Sequence, residues 1–107
     1  MAANALVLGA CIAEIDVLRY TPSGLPAVNL RLEHASELQE AGQTRQVKAT
    51  VKAVAFGTLA ERLVQQAVGS SWRFHGFLTS PKSGRGLVLH IQEFSQDSQE
   101  NSQNTLV

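Results

Sequence analysis

Apolar and polar residues alternate along several short stretches of the chain. Val28, Leu30 and Leu32 are separated by polar residues, and residues 47–53 and 72–78 repeat this spacing of two. Because successive side chains of a strand point to opposite faces of a sheet, this period predicts strands with one face in the core and one in water. The pattern predicts five strands, which cover residues 5–17, 28–33, 47–53, 72–78 and 87–91.

One segment has the spacing of a helix instead. Leu59, Leu63 and Ala67 lie four residues apart, so they share one face of a helix, and Gly69 ends the pattern. The segment from Thr58 to Glu61 has the spacing of a capping box, in which both side chains bond free backbone amides of the first turn. A short helix is therefore predicted between the third and fourth strands.

The segments between these elements are polar. Residues 19–26 and 80–86 are rich in Gly, Pro and Ser, which is typical of turns, and the polar residues 35–44 predict a loop. Residues 95–107 contain no aromatic and no basic residue, so they have little apolar surface to offset the entropy of ordering them. The prediction is a folded domain over residues 1–94 and a disordered polar tail over residues 95–107.

The order strand, strand, strand, helix, strand, strand is typical of one all-β fold. In the OB-fold, a five-stranded barrel carries its helix between strands three and four. With 107 residues, 44% of them hydrophobic, the chain can form one modest core. We therefore predict a single OB-fold barrel, and its modest core favours an oligomer in which a second subunit covers exposed apolar surface.

Cysteine usage and hydropathy bear on the location of the protein. Cys11 is the only cysteine, so no internal disulfide can form, and the first residues do not have the form of a signal peptide. No apolar run approaches the roughly 20 residues that span a bilayer. We expect a cytoplasmic protein without a membrane role.

Charged residues are sorted along the chain. Residues 41–92 hold seven basic side chains against one acid, whereas residues 1–40 and 93–107 each carry a net charge of −3, so the total is zero. If the basic centre forms one face of the folded domain, that face would attract a polyanion, commonly nucleic acid. The alternative is that folding scatters these charges over the surface.

The predicted fold selects candidates among these charges. OB-folds bind along strands two and three and at the loops after strands one and four, and a cation beside a phosphate gains affinity through counterion release. Pairing of strands two and three would turn Arg31, Lys48 and Lys52 to one sheet face. Among the aromatic residues, Trp72 and Phe74 are assigned to the core, because large apolar groups on a strand face are more often core than base-stacking surface. The candidate nucleic-acid-binding residues are Arg19, Tyr20, Arg31, Arg45, Lys48, Lys52, Lys82 and Arg85.

Candidate catalytic and metal-binding groups are sparse. His34, His75 and His90 lie far apart without a carboxylate or cysteine at metal-ligand spacing, and no phosphate-cradling Walker motif precedes the helix. Cys11 lies in an apolar strand, where a thiol tends to be buried and protonated. We expect a binding protein rather than an enzyme, with no metal, cofactor or small-molecule substrate.

A series of short motifs runs through the chain in a distinctive order. They are residues 6–8 (LVL), 21–26 (TPSGLP), 32–34 (LEH), 40–42 (EAG), 45–46 (RQ), 68–70 (VGS), 76–77 (GF) and 86–90 (GLVLH). In order and spacing these motifs resemble the family of primosomal replication protein N, called PriB. The resemblance implies a bacterial OB-fold homodimer, related to single-stranded DNA-binding proteins. It also implies that the protein binds single-stranded DNA and helps the PriA helicase and other primosome proteins to reload the replicative helicase at stalled forks.

The DNA-binding face of that family is only partly retained. The resemblance places its basic groups on Arg19, Lys82 and Arg85, although the loop that holds the last two is shorter than in the best-known members. The substituted positions are Gln43 and Lys48, where those members carry base-stacking aromatics, and Ala35, where they carry an arginine. Since stacking contributes about 1 to 3 kcal/mol per base, losing two platforms weakens DNA binding unless added charge, such as that of Lys48, compensates.

Two functions remain open from the sequence. The first is a single-stranded DNA-binding accessory protein of replication restart, which brings the PriA helicase and helicase-loading factors together without chemistry. The second is a protein-interaction adaptor of the primosome with weak or vestigial DNA binding, which the missing aromatics favour. A general single-strand coating protein fits less well, because the tail lacks the acidic, aromatic-tipped end that such proteins often use to recruit partners.

Overall fold

The computed structural model describes residues 1–96, which form five long strands, one two-residue strand and one short helix. The elements are β1 Leu6–Ile15, β2 Arg19–Tyr20, β3 Pro26–Glu40, β4 Gln43–Phe56, α1 Thr58–Leu63, β5 Ser71–Thr79 and β6 Val88–Ser95. Of the predicted tail, only Ser95, which ends β6, and Gln96 are described. The rest of that tail lies outside the described residues, so the domain boundary stays a prediction.

The five long strands close into a barrel. β1 pairs with β5 through residues 6–11 and then changes partner to β3 through residues 11–15, with a register shift between Ile12 and Glu14. β3 pairs antiparallel with β4, β4 parallel with β6, and β6 antiparallel with β5, which completes the circuit. Because α1 lies between the third and fourth barrel strands, β4 and β5, the predicted OB-fold is confirmed.

The core fills the barrel from the alternating positions that the sequence indicated. Val28 and Leu32 on β3 are fully buried, and Ala53 on β4 is 1% exposed. Leu63 of α1 is also fully buried and belongs to the same core cluster. The polar outward positions of the β3–β4 hairpin, such as Arg31 and Lys52, face away from this core.

Phe74 and Trp72 lie on the core side of β5, as predicted. Phe74 is fully buried, and the partly buried Trp72 ring meets Phe94 edge-on at 5.1 Å between centroids. The indole Nε1–H of Trp72 donates a hydrogen bond to the hydroxyl of Ser70 at 2.9 Å. Both rings are therefore used for packing.

The predicted loop at residues 35–44 is wrong. β3 and β4 continue through this segment as an antiparallel ladder without a register shift. Ala41 and Gly42 form the two-residue turn, with φ of 53° and 78°, the left-handed values that a tight hairpin turn requires. We call the paired residues 35–48 the arm. Neither face of residues 35–46 is buried against a core, so no apolar alternation marked these residues as strand.

Two local predictions are also revised. The two-residue strand β2 forms inside the predicted turn at residues 19–26 and pairs with the start of β3. α1 is capped by Gly57 without a side-chain hydrogen bond, so the capping box is wrong: Thr58 is already the first helical residue. The helix is shorter than predicted, because the Gln66 amide bonds to the Leu63 carbonyl three residues back rather than continuing the α-helical pattern.

Between residues 1 and 96, no helix is both long and apolar enough to cross a membrane.

Candidate nucleic-acid interface

The outward face of the β3–β4 hairpin carries three of the predicted cations. The register sets Arg31 directly opposite Lys52 and Ala35 opposite Lys48, so the predicted pairing of these two strands is confirmed. Because the inward positions hold the apolar core residues, these side chains point away from the barrel. Lys48 lies four residues from Lys52, about 13 Å along β4, so the cations follow the strand rather than cluster.

A groove of about 1120 Å³ runs from this face to the loop between β5 and β6, residues 80–87. Arg31 and Lys52 line it on the hairpin side, and Arg85 lines it on the loop side. Its apolar lining consists of Leu6, Leu8, Leu30, Val51, Ala53, Leu78, Pro81, Leu87 and Val88. A groove lined by both cations and apolar groups suits an extended ligand with a charged backbone and flat apolar groups.

Carboxylates share this face, so it is not uniformly positive. Arg31 lies between Glu14 and Glu33, at nitrogen–oxygen distances of 3.7 and 3.3 Å, and Asp16 also lines the groove. These acids belong to the acidic first forty residues of the chain. Strand pairing brings them back beside the basic centre, so the separation of charge along the sequence survives only in part.

Four cations of this surface remain available to a ligand. They are Lys48, Lys52, Lys82 and Arg85, all of them exposed. None of the four forms an ion pair with another residue of the described chain. Lys82 shares a loop with Arg85 but lies outside the groove lining. A phosphate that meets these side chains does not have to displace a carboxylate first.

Arg19 and Tyr20 lie at the edge of the same surface. The Arg19 guanidinium donates two hydrogen bonds, of 2.9 and 3.2 Å, to Oδ1 of Asn29, which shares the outward face of β3 with Arg31. The Tyr20 side chain is 63% exposed. Asp16 and Asn29 line both the groove and a second recess beside Arg19, so the two form one continuous surface.

Arg45 is not brought to this site. It lies near the tip of the arm, on the odd-numbered face of β4, whereas Lys48 and Lys52 lie on the even-numbered face. Its guanidinium pairs with the carboxylate of Glu40 at 3.0 Å. The structure therefore places Arg45 in a surface ion pair at the arm tip.

Sequence reasoning did not bring together three rings on the outward side of the barrel, which we call the outer ring row: Phe56, His90 and Phe77. The His90 centroid lies 5.7 Å from that of Phe56 and 4.9 Å from that of Phe77. Phe56 is 37% exposed and lies on the same face of β4 as Lys52. The available signal was strand length: the predicted strand stopped at Ala53, and three more residues would have put Phe56 on the Lys52 face.

The remaining polar groups near the barrel make local contacts. His34 donates from Nδ1 to the carbonyl oxygen of Gly9 at 2.6 Å, and its Nε2 lies 2.8 Å from the hydroxyl of Ser36. Cys11 is half-buried in β1. Residues 1–96 contain no group of three His, Cys, Asp or Glu side chains placed to hold a metal ion. What the described surface offers a ligand is charge, hydrogen bonds and ring faces.

The fold and this surface define an OB-fold protein that carries an open groove lined by cations and apolar groups. Residues 4–93 match the model of a family described as "another single-strand binding protein family". A relative from Bordetella pertussis, named replication restart protein PriB, is 42% identical over 91 residues, which cover 84% of this chain and 85% of the relative. A relative of the same name from Nitrosomonas europaea is 31% identical over 84% of each chain.

Solved structures give the same result. The structure of PriB from Ralstonia solanacearum has a TM-score of 0.81 at 36% identity and covers 89% of this chain and 98% of that one. A small single-stranded DNA-binding protein from Streptomyces coelicolor, at 17% identity, shares the fold with a TM-score of 0.72 over 94% and 97% of the two chains. The chain belongs to the single-strand binding protein family and, within it, to the replication restart proteins named PriB, which confirms the resemblance of its motifs.

Proposed function

We propose that this protein binds single-stranded DNA as a non-catalytic accessory protein of the replication restart primosome. The observation that carries the proposal is the groove, which is lined by apolar residues and by Lys52 on the hairpin and Arg85 on the loop, both without an ion-pair partner in the described chain. Membership of the PriB group supports it. The proposed activity is binding alone, with no metal, cofactor or small-molecule substrate.

In this proposal, phosphates bind at the cations and bases at the rings. Lys52 and Arg85 flank the groove, and Lys48 continues the path along the arm. Each phosphate that a cation neutralises releases counterions, which favours binding most strongly at low salt. Phe56 supplies a ring on the Lys52 face and so offsets the missing aromatics at Gln43 and Lys48.

Three other candidates have distinct roles in the proposed path. Arg19 uses two N–H donors on Asn29, and because a guanidinium has five donors it keeps others for a phosphate. The exposed Tyr20 beside it is a stacking surface for a base. Lys82 adds positive charge on the loop between β5 and β6, beside the proposed path of the DNA strand. Arg45, at the arm tip, is left out of the path.

Beyond DNA binding, the proposal assigns this protein the role of bringing other primosome proteins together. A protein without a catalytic step assists restart by holding the PriA helicase and helicase-loading factors on the same DNA strand. We include a homodimer in the proposal, since one barrel has a small core and the outer edge of β1 from Leu6 to Gly9 pairs with no strand of the described chain. A cytoplasmic location stays a prediction.

A second candidate function is a primosome adaptor with little DNA affinity. Glu33 and Glu37 share the outward face of the hairpin with the lysines, and such a mixed-charge surface also suits a protein partner. The double variant Lys48→Ala with Lys82→Ala separates the two functions. Loss of helicase stimulation with unchanged DNA affinity would favour the adaptor, whereas a parallel loss of both would favour DNA binding.

The proposal is tested by fluorescence anisotropy of a labelled oligo-dT of about 30 nucleotides, a length that spans more than one OB-fold site. The titration is repeated from about 50 to 200 mM salt, over which several phosphate contacts change affinity by orders of magnitude. We expect binding with a steep negative salt dependence. Absence of binding at the lowest salt would contradict the proposal and leave the adaptor.

A further inference from the structure

The outer ring row extends to a part of the barrel that the proposed groove does not use. Phe77 on β5 and His90 on β6 are direct partners in the strand register. Their rings are nearly parallel, at 22°, with centroids 4.9 Å apart. Phe56 on β4 lies on the other side of His90, tilted by 35°. The three rings thus cross three neighbouring strands.

Buried residues beside the rings show that the row is part of a built layer. Ala27 is fully buried and Val54 is 6% exposed, yet neither belongs to the core cluster inside the barrel. Both occupy outward positions, where Val54 pairs in register with His90 and Ala27 with Phe56. The outward face therefore has a small apolar layer of its own, and Phe56 still leaves 37% of its surface to solvent.

The far side of Phe77 borders a small residue. The Asn4 side chain bonds both the amide and the carbonyl of Leu78, at 2.9 and 2.7 Å, and Leu6 pairs with Gly76. Continuing this register by one residue places the exposed Ala5 beside Phe77, and a methyl group covers less of a neighbouring ring than a larger side chain would. A flat group therefore has an approach to Phe77 from the β1 side.

The charge around the row is positive on its groove side. Lys52 precedes Val54 by two residues on the same face and has no ion-pair partner in the described chain, whereas its register partner Arg31 is paired with Glu14 and Glu33. On the other side, His75 shares the outward face of β5 with Phe77, and its partner in β6 is Glu93. A ligand with an anionic backbone is thus favoured at the end of the row that joins the groove.

We infer that Phe77, backed by the nearly parallel ring of His90, forms a second base-stacking platform, reached from the groove through Lys52 and Phe56. A single strand too long for the groove continues over this platform around the barrel. The inference rests on the proposed function. It favours nucleic acid over a protein partner because adjacent flat rings, continuous with a cation-lined groove, match bases on a charged backbone, and every base has a face that stacks.

The test compares the affinity of wild type and Phe77→Leu for oligo-dT of about 6 and about 16 nucleotides, near the two ends of the range that one OB-fold occupies. Leucine keeps apolar cover over the sheet but removes the ring. We expect the affinity for the longer oligonucleotide to fall at least about fivefold, the lower limit for one stacked base, and that for the shorter one to stay unchanged. Val68→Ala, at a 64% exposed position after α1, is the control and should bind both like wild type.

The outcomes separate the platform from the groove. Unchanged affinity of Phe77→Leu for both lengths would overturn the platform and leave the groove in place. Failure of wild type to bind either length would overturn the proposed function and the platform with it. A changed sedimentation mass with unchanged DNA affinity would assign this face to a protein contact and would likewise overturn the inference.

Cross-linking of the wild-type protein keeps the inference testable if Phe77→Leu does not fold. An oligo-dT of about 16 nucleotides, the upper end of the OB-fold range, carries 5-iodo-deoxyuridine at one position at a time. After irradiation, the adducts are located by mass spectrometry. Adducts on Phe77 or His90 would support the platform, whereas adducts confined to β3, β4 and residues 80–87 would overturn it.

Discussion

The cations of the β3–β4 hairpin differ in whether a carboxylate already pairs with them. Arg31 is held by two carboxylates and Arg45 by one, whereas Lys48 and Lys52 form no ion pair within the described chain. An exposed ion pair contributes only about 0 to 1 kcal/mol, but a phosphate must still displace it to bind the guanidinium. The lysines are therefore expected to dominate the salt-dependent part of binding.

This difference between cations predicts the effect of removing them one at a time. Lys52→Gln should weaken binding to oligo-dT and lower the magnitude of the salt slope by about 0.7, the value for one phosphate contact on a single strand. The measurement is anisotropy as a function of salt concentration. Arg45→Gln makes the same change in net charge at the arm tip and serves as the matched control. Equal effects of the two variants would show that net charge, rather than the groove, governs binding.

At the scale of elements, the sequence pattern identifies strands where one face is buried and fails where neither is. The alternation of residues 28–33 located the core part of β3, but the polar residues 35–44 gave no sign that the strand continues. The same limit hid the end of β4 and, with it, the position of Phe56. Hydrophobic periodicity reports burial, so it does not detect an exposed pair of strands. In this chain the exposed pair was recognised only from the structure, where Ala41 and Gly42 adopt the left-handed conformation of a tight hairpin turn.

The close contact between β5 and β6 predicts that any side chain larger than that of Gly76 destabilises the fold at this position. A methyl group added to this buried residue would collide with the backbone carbonyl of His90 on the neighbouring strand. We expect Gly76→Ala to lower the free energy of unfolding by about 2 to 3 kcal/mol, in the range for overpacked cores, as measured by urea denaturation. Ser71→Ala, at an exposed position on the same strand, should change it by no more than about 0.5 kcal/mol. Similar stabilities of the two variants would show that the strands separate easily at this point.

At the scale of the whole molecule, the topology followed from the order of elements, whereas the charged surface did not. One helix between the third and fourth strands was enough to predict the barrel. The surface depends on which residues face each other across strands, and this register is not written in the linear order of charges. Arg31 illustrates the difference: it was predicted as a DNA contact, and the fold places two carboxylates beside it.

The open outer edge of β1 predicts the oligomeric state. Residues 6–9 pair with β5 on one side and with no strand of the described chain on the other, and Val7 is 57% exposed. We expect sedimentation equilibrium at micromolar concentration to give about twice the chain mass of 11.5 kDa. Val7→Lys should favour the monomer, because a charge on an open strand edge opposes pairing, while Val68→Lys on the loop should not. A purely monomeric wild type would contradict the dimer.

We expect the arm to open locally while the barrel stays folded. Within the described chain, its two strands bond to each other and to no third strand, and an isolated two-stranded ladder is only marginally stable in water. Amide hydrogens should therefore exchange faster toward the turn at Ala41 and Gly42, through fraying that leaves the barrel folded. A strand of DNA lying across Lys48 would slow exchange in the arm before it altered the barrel, so the rate of amide exchange in the arm would report occupancy of the binding face.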